Sequence, residues 1–260
     1  MKNKLALVIG GARGIGYRIS CNLLNNKFKV FIIDKSKENL KTCSEKLKDN
    51  KSVHFLNFDL LDPHFIHIEL DNLIKKHGCP TVFVNNIRYR SESALDELSD
   101  WNNGLNLGLT IPYFISKKII DVSKNPVNIL HISSIASKLI TNESSLYHVI
   151  KSGINSLTRY TAIYGAKKGC RTNAILPGLV IQDDHRQHYL SDENQEFRSM
   201  AEFYQPSSIP GSEQDIADIA MYLLSDKSKF LNGQSITADG GASIQDQFSL
   251  LLNANKRKTI

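Results

Sequence analysis

The sequence predicts one α/β domain, a doubly wound parallel sheet of about seven strands with helices on both faces. Three observations lead there. Short apolar runs alternate with stretches of helical spacing through nearly all 260 residues. The runs are continuously apolar, as strands covered on both faces require. No internal repeat, low-complexity tract or shift in composition marks a linker, so residues 1–260 read as a single domain.

The elements follow in order. KLALVIGG (4–11) is a buried strand ending in glycine, and GIGYRISCNLLNNK (14–27) has apolar residues at helical spacing. FKVFIID (28–34) is a second strand, and 35–50 a polar helix with sparse apolar positions. SVHFLNFD (52–59) is a third strand, after which Pro63 suits a helix start. PTVFVNN (80–86) is a fourth strand, followed by a long helical stretch at 96–124. VNILHISS (127–134) is a fifth strand, 145–168 a helix, and CRTNAILPG (170–178) a sixth strand. Segment 182–212 reads as polar and irregular. A helix at 213–225 and a last strand at 233–241 complete the pattern.

Composition excludes several classes of function. The net charge is +6, but the lysines are interspersed with acids, as in 35–51, which describes a solvated helix face. No aromatic residues interleave a basic stripe, so nucleic acid is not an expected partner. The cysteines Cys21, Cys43, Cys79 and Cys170 are scattered without metal-ligand spacing. Neither a disulfide framework nor a metal site is expected, which fits a reducing cytoplasm. The apolar run Leu5 to Ile9 is too short for a signal peptide, and no stretch approaches a membrane span.

GGARGIG (10–16) follows the first strand and opens the first helix. Gly10, Gly14 and Gly16 permit a tight turn and close backbone approach to a pyrophosphate, which the helix N-terminus attracts. Asp34 ends the second strand, where a carboxylate can accept from ribose hydroxyls. Together these predict a dinucleotide site. Asp34 would repel a 2′-phosphate and favours NAD, whereas Arg13 and Lys35 could pair with that phosphate and favour NADP. The expectation is NAD.

YHVIK places Tyr147 and Lys151 one helical turn apart. Alone the spacing decides nothing, because it recurs at Tyr113/Lys117 and Tyr164/Lys168. The order of the glycine loop, Asp34, Asp59, Asn85-Asn86, Asn106, Ser134, Tyr147, Lys151 and Pro177-Gly178 resembles the short-chain dehydrogenase/reductase family over about 4–241. Ser134 lies thirteen residues before Tyr147 and Pro177 thirty after it, intervals that select Tyr147 among the three pairs.

The resemblance implies a Rossmann-type fold and NAD(P)-dependent interconversion of a secondary alcohol and a ketone. It implies Tyr147 as acid/base, Lys151 holding the nicotinamide ribose, Ser134 binding the substrate oxygen and Asn106 holding a relay water. Chemically, a nearby cation favours ionisation of a phenol that otherwise titrates near ~10. The resemblance further places Ile15, Asp59, Leu60, Asn86, Pro177, Gly178 and the Val180 backbone at the cofactor. Ile9, Ile87-Arg88 and Gln182 depart from the family pattern; it usually has Thr, Ala-Gly and Thr there. The polar loop 182–212 is the expected substrate lid; its charges either face water or, with Arg88, His185 and Arg186, serve a polar or anionic, sugar-like small molecule. The family implies a homo-oligomer, commonly a tetramer, built on the helices at 96–124 and 145–168. Residues 242–260 extend beyond the family pattern. An epimerase or dehydratase with tightly held cofactor, or a non-catalytic nucleotide-binding scaffold, remains an alternative.

Overall fold

The computed structural model describes residues 4–62, 64–90 and 97–257. Pro63, residue 96 at the expected start of the long helix, and Lys258 of the basic tail lie outside the described residues. The first half alternates β1 (Leu5–Ile9), α1 (Gly14–Asn25), β2 (Lys29–Asp34), α2 (Lys37–Lys46) and β3 (Val53–Asn57). A π-helical turn at Phe65–Glu69 leads into α3 (Leu70–His77), then β4 (Val82–Asn85). The long helix comprises α4 (Leu98–Leu105), a π-helical turn at Asn106–Thr110, and α5 (Ile111–Val122). Next come β5 (Asn128–Ile132), α6 (Ser145–Ala166), β6 (Arg171–Pro177) and the two-residue β7 (Val180–Ile181). The chain ends with α7 (Arg186–Leu190), α8 (Gln195–Tyr204), β8 (Gly211–Ser212), α9 (Glu213–Leu223), β9 (Ser235–Ala238) and α10 (Gln247–Arg257).

Among the described residues, seven strands form one parallel sheet in the order β3-β2-β1-β4-β5-β6-β9. After β1 the chain winds outward to β3, then returns to the other side of β1 at β4. That reversal opens a crevice at the strand C-terminal ends, where such sheets bind ligands.

The alternation of strand side chains explains why both faces are dry. Ala6 and Val8 of β1 face a core shared with Ile19 and Leu23 of α1 and Ile216 and Leu223 of α9. Leu5, Leu7 and Ile9 face the opposite core, with Phe83, Ile115 and Ile119. A third patch lies on α6, where Leu146, Ile150 and Ile154 pack against Leu105 and Leu109. Ser144 caps α6 by accepting from the Tyr147 N–H, which fixes the start of the helix that carries Tyr147 and Lys151.

The expectation of an irregular 182–212 segment is corrected: it contains α7 and α8. Phe197, Ala201 and Tyr204 recur at helical spacing, but polar neighbours dilute the signal. Tyr189 of α7 is buried edge-on to Phe197, and Arg198 donates to the Tyr189 and Ser191 carbonyls.

Candidate active site

The glycine loop joins β1 to α1 beneath the end of β4. Gly10 has φ +67°, a left-handed conformation that glycine adopts freely. A Cβ on Gly16 would lie 2.2 Å from the Gly10 carbonyl oxygen and 2.6 Å from Asn86 Nδ2. Asn86 Nδ2 donates to that carbonyl at 2.8 Å, so it ties β4 to the loop. Arg13 precedes α1 without making a side-chain cap, and the first turn carries no acid. The leading N–H groups of α1, at Gly14, Ile15 and Gly16, are therefore available to an anion.

Asp34 ends β2, with Oδ1 accepting from the Ser36 N–H at 3.0 Å. Arg13 and Lys35 are both exposed and form no ion pair among the described residues. Asn57, which the sequence reading did not single out, braces this turn by donating to the Asp34 and Lys35 carbonyls. Asp59 is exposed and Leu60 is buried beside it; Asp59 Oδ1 accepts from the Leu61 N–H. The uncapped helix start, the close loop packing and a carboxylate at the end of β2 fit a dinucleotide.

Tyr147, half-buried, lies among four groups. Lys151 Nζ is 5.6 Å from the centre of its ring, and the Arg88 guanidinium is 5.3 Å from it. Ser134, at the turn after β5, favours loss of the phenolic proton. The Ser134 hydroxyl also accepts from the Ala136 N–H, which holds it at the turn. Arg88 is paired with Glu143 at 2.6 Å. Burial pushes the Tyr147 phenol up, opposed by Ser134 and Arg88 and reinforced by Glu143. Lys151 is buried, and Nζ donates to the Ile132 carbonyl at 2.8 Å and the Ile87 carbonyl at 3.2 Å. Burial lowers its pKa to about 7, with Arg88 adding repulsion.

The other Tyr-Lys pairs belong to the surface. Lys117 pairs with Asp121 across the ring of Tyr164, whose hydroxyl donates to the same carboxylate. Lys168 donates to the Ile120 and Asp121 carbonyls. Asn106 opens the π-helical turn, where its carbonyl accepts from the Ile111 N–H, and it is exposed. No described bond joins Asn106 to Tyr147 or Lys151.

A family model described as enoyl-(acyl carrier protein) reductase, of the short-chain alcohol dehydrogenase type, matches residues 10–243. The chain belongs to the short-chain dehydrogenase/reductase family. It is 26% identical over 261 residues to a 7alpha-hydroxysteroid dehydrogenase of Bacteroides fragilis, covering 94% of this chain and 96% of that protein. It is 28% identical to a 3-oxoacyl-(acyl-carrier-protein) reductase of Salmonella typhimurium, covering 92% and 97%. A crystal structure of a putative gluconate dehydrogenase from Agrobacterium tumefaciens superposes with a TM-score of 0.79 at 26% identity, covering 92% and 95%. The chain is thus an oxidoreductase of this family, dependent on NAD or NADP.

The lid side of the site begins at the end of β6. Pro177 closes β6, and the Gly178 N–H donates to the Ala238 carbonyl at 3.0 Å. Val180 lies opposite Gly211 in the β7–β8 pair. The Gln182 amide lies against Gly14, 3.6 Å from where a Cβ there would stand. Asp183 forms an ion pair with Arg18 of α1, its N–H donates to the buried Glu213 of α9, and Asp184 reaches Lys46 at 3.9 Å. These contacts draw the start of the lid toward α1, α2 and α9. His185 and Arg186 follow directly and are exposed; no described contact brings either to Arg88 or Tyr147. Glu143, the partner of Arg88, was missed by the sequence reading; its place four residues before Tyr147 is the one signal for it.

Proposed function

We propose that the chain interconverts a secondary alcohol and a ketone on a polar small molecule, with Tyr147 as the acid/base. The observation that carries this reading is the convergence of Ser134 and Lys151 on Tyr147 beside the glycine-loop crevice. When bound, the nicotinamide dinucleotide supplies or accepts the hydride. Tyr147 then gives its phenolic proton to the substrate oxygen during reduction, or takes it during oxidation. Ser134 donates a hydrogen bond to the same oxygen and holds it near the phenol. Lys151, anchored by its two carbonyl acceptors, would hold the nicotinamide ribose. Asn106 keeps a water at the π-helical turn for proton exchange with solvent.

NAD is the proposed cofactor, because the Asp34 carboxylate at the end of β2 would meet the ribose hydroxyls directly. The polar character of 182–212 supports a hydroxylated, sugar-like substrate. Arg88 already holds Glu143, so a substrate anion there would have to displace that carboxylate. The relatives act by name on a steroid and on an acyl group, and neither substrate is carried over. A cytoplasmic homo-oligomer is proposed; no described helix is long and apolar enough to cross a membrane.

The test is turnover of a panel of polar alcohols and ketones with NAD(H) and NADP(H), followed by dinucleotide absorbance. At least one substrate should turn over, faster with NAD(H), and Tyr147→Phe should lose it while still binding dinucleotide. Full activity in Tyr147→Phe would overturn the assignment.

A further inference from the structure

Arg88 is the residue that the glycine loop, the lid and the alcohol chemistry leave unexplained. It stands on the loop after β4, and that loop is pinned on both sides. The Ile87 N–H donates to Asn85 Oδ1 at 3.3 Å, and the Tyr89 hydroxyl donates to Asp100 Oδ1 at 2.5 Å. Glu143 holds the guanidinium from the other side, and the planar group sits over the Tyr147 ring. We propose that Arg88 is a positioning residue for Tyr147: clamped by Glu143 over the phenol, it supplies a second positive charge, added to that of Lys151, that favours the phenolate.

Lys151 supplies the other charge, 5.6 Å from the centre of the ring. Its ammonium is buried, turned to two carbonyls, and holds its proton only up to about pH 7. A guanidinium stays charged across the whole working range. Among the described residues, the other groups that face Tyr147 are Ser134, Glu143 and His148. His148 lies edge-on at 6.4 Å; its Nε2 accepts from the Thr141 N–H and its Nδ1 is 2.8 Å from the Ser144 carbonyl, so both ring nitrogens are already engaged. Glu143 is then the moderator, since it both fixes Arg88 and offsets part of its charge.

The proposal rests on the acid/base reading of Tyr147, but its first test needs no turnover. Ring-carbon NMR on protein with isotope-labelled tyrosine reads the ionisation midpoint of Tyr147, and Tyr147→Phe identifies the resonance. Arg88→Ala should raise the midpoint by about one pH unit or more, a tenfold loss of phenolate at fixed pH. Arg88→Lys should restore part of it, and Glu143→Gln should lower it. The acidic limb of kcat for alcohol oxidation should move in step, with KM for the alcohol little changed.

An unmoved midpoint in Arg88→Ala, in protein with the melting temperature of the unsubstituted chain, overturns the proposal. So does a rise in Glu143→Gln, which alone decides the matter if Arg88→Ala does not fold. Midpoint shifts of the expected signs in a protein that turns over no alcohol support the role of Arg88 and remove the oxidoreductase reading instead.

Discussion

The proton on Tyr147 is contested by groups that a few substitutions can separate. Burial holds it on, while Ser134 and Arg88 favour its loss. Lys151 is the sharper case, because burial lowers its folded pKa to about 7, far below the ordinary lysine value of 10.5. A lowered amine pKa means the unfolded chain binds more protons between those values. Stability of the cofactor-free protein should therefore rise with pH from about 7 toward 10.5, by up to about 1.4 kcal/mol per pH unit from this group. Lys151→Met should flatten that rise, as seen in denaturant melts taken at several pH values. At the other end of the crevice, Asp34→Ala should narrow the preference for NADH over NADPH, read by fluorescence titration. An unchanged preference would mean that Arg13 and Lys35 set it. Tyr147 was legible in the sequence through the family resemblance, and Asp34 through its place at the end of the second strand. Glu143 was not, since an exposed acid before a helix announces nothing until its partner across the site is seen.

Helices α4, α5 and α6 position the chemistry by approaching closely. A Cβ on Gly108 would lie 2.5 Å from Ile150 Cγ2, one residue before Lys151 in the chain. Gly108→Ala should push α6 outward, cost about 1–3 kcal/mol and lower kcat, checked by thermal melts and turnover. The lid start behaves differently. Arg18 and Asp183 are partly exposed, so their pair contributes ~0–1 kcal/mol to global stability. Arg18→Ala should leave the melting temperature nearly unchanged while hydrogen exchange speeds up across 182–190. Strand and helix types were readable because apolar runs are continuous and helices keep their period. Both π-helical turns were invisible, since one extra residue per turn leaves no mark in composition. The short lid helices were missed because polar residues dilute their apolar stripe.

At the scale of the molecule, the parallel order follows from alternating elements and right-handed crossovers, so the sequence already contained it. An oligomer is expected only through family resemblance. The proposed interface has a physical basis: Phe114 on α5 and Tyr160, Ile163 and Tyr164 on α6 are large apolar side chains left in solvent. Ile163→Glu should reduce the oligomer to smaller species in light scattering, without unfolding the chain. The central claim is that this fold moves a hydride under the control of Tyr147. Deuterium transfer tests it most directly: reduced dinucleotide deuterated at the nicotinamide is incubated with a panel of polar ketones, and products are read by mass spectrometry. The account predicts an alcohol product carrying deuterium on carbon with the unsubstituted chain and none with Tyr147→Phe. Equal deuterium transfer by both proteins would contradict it.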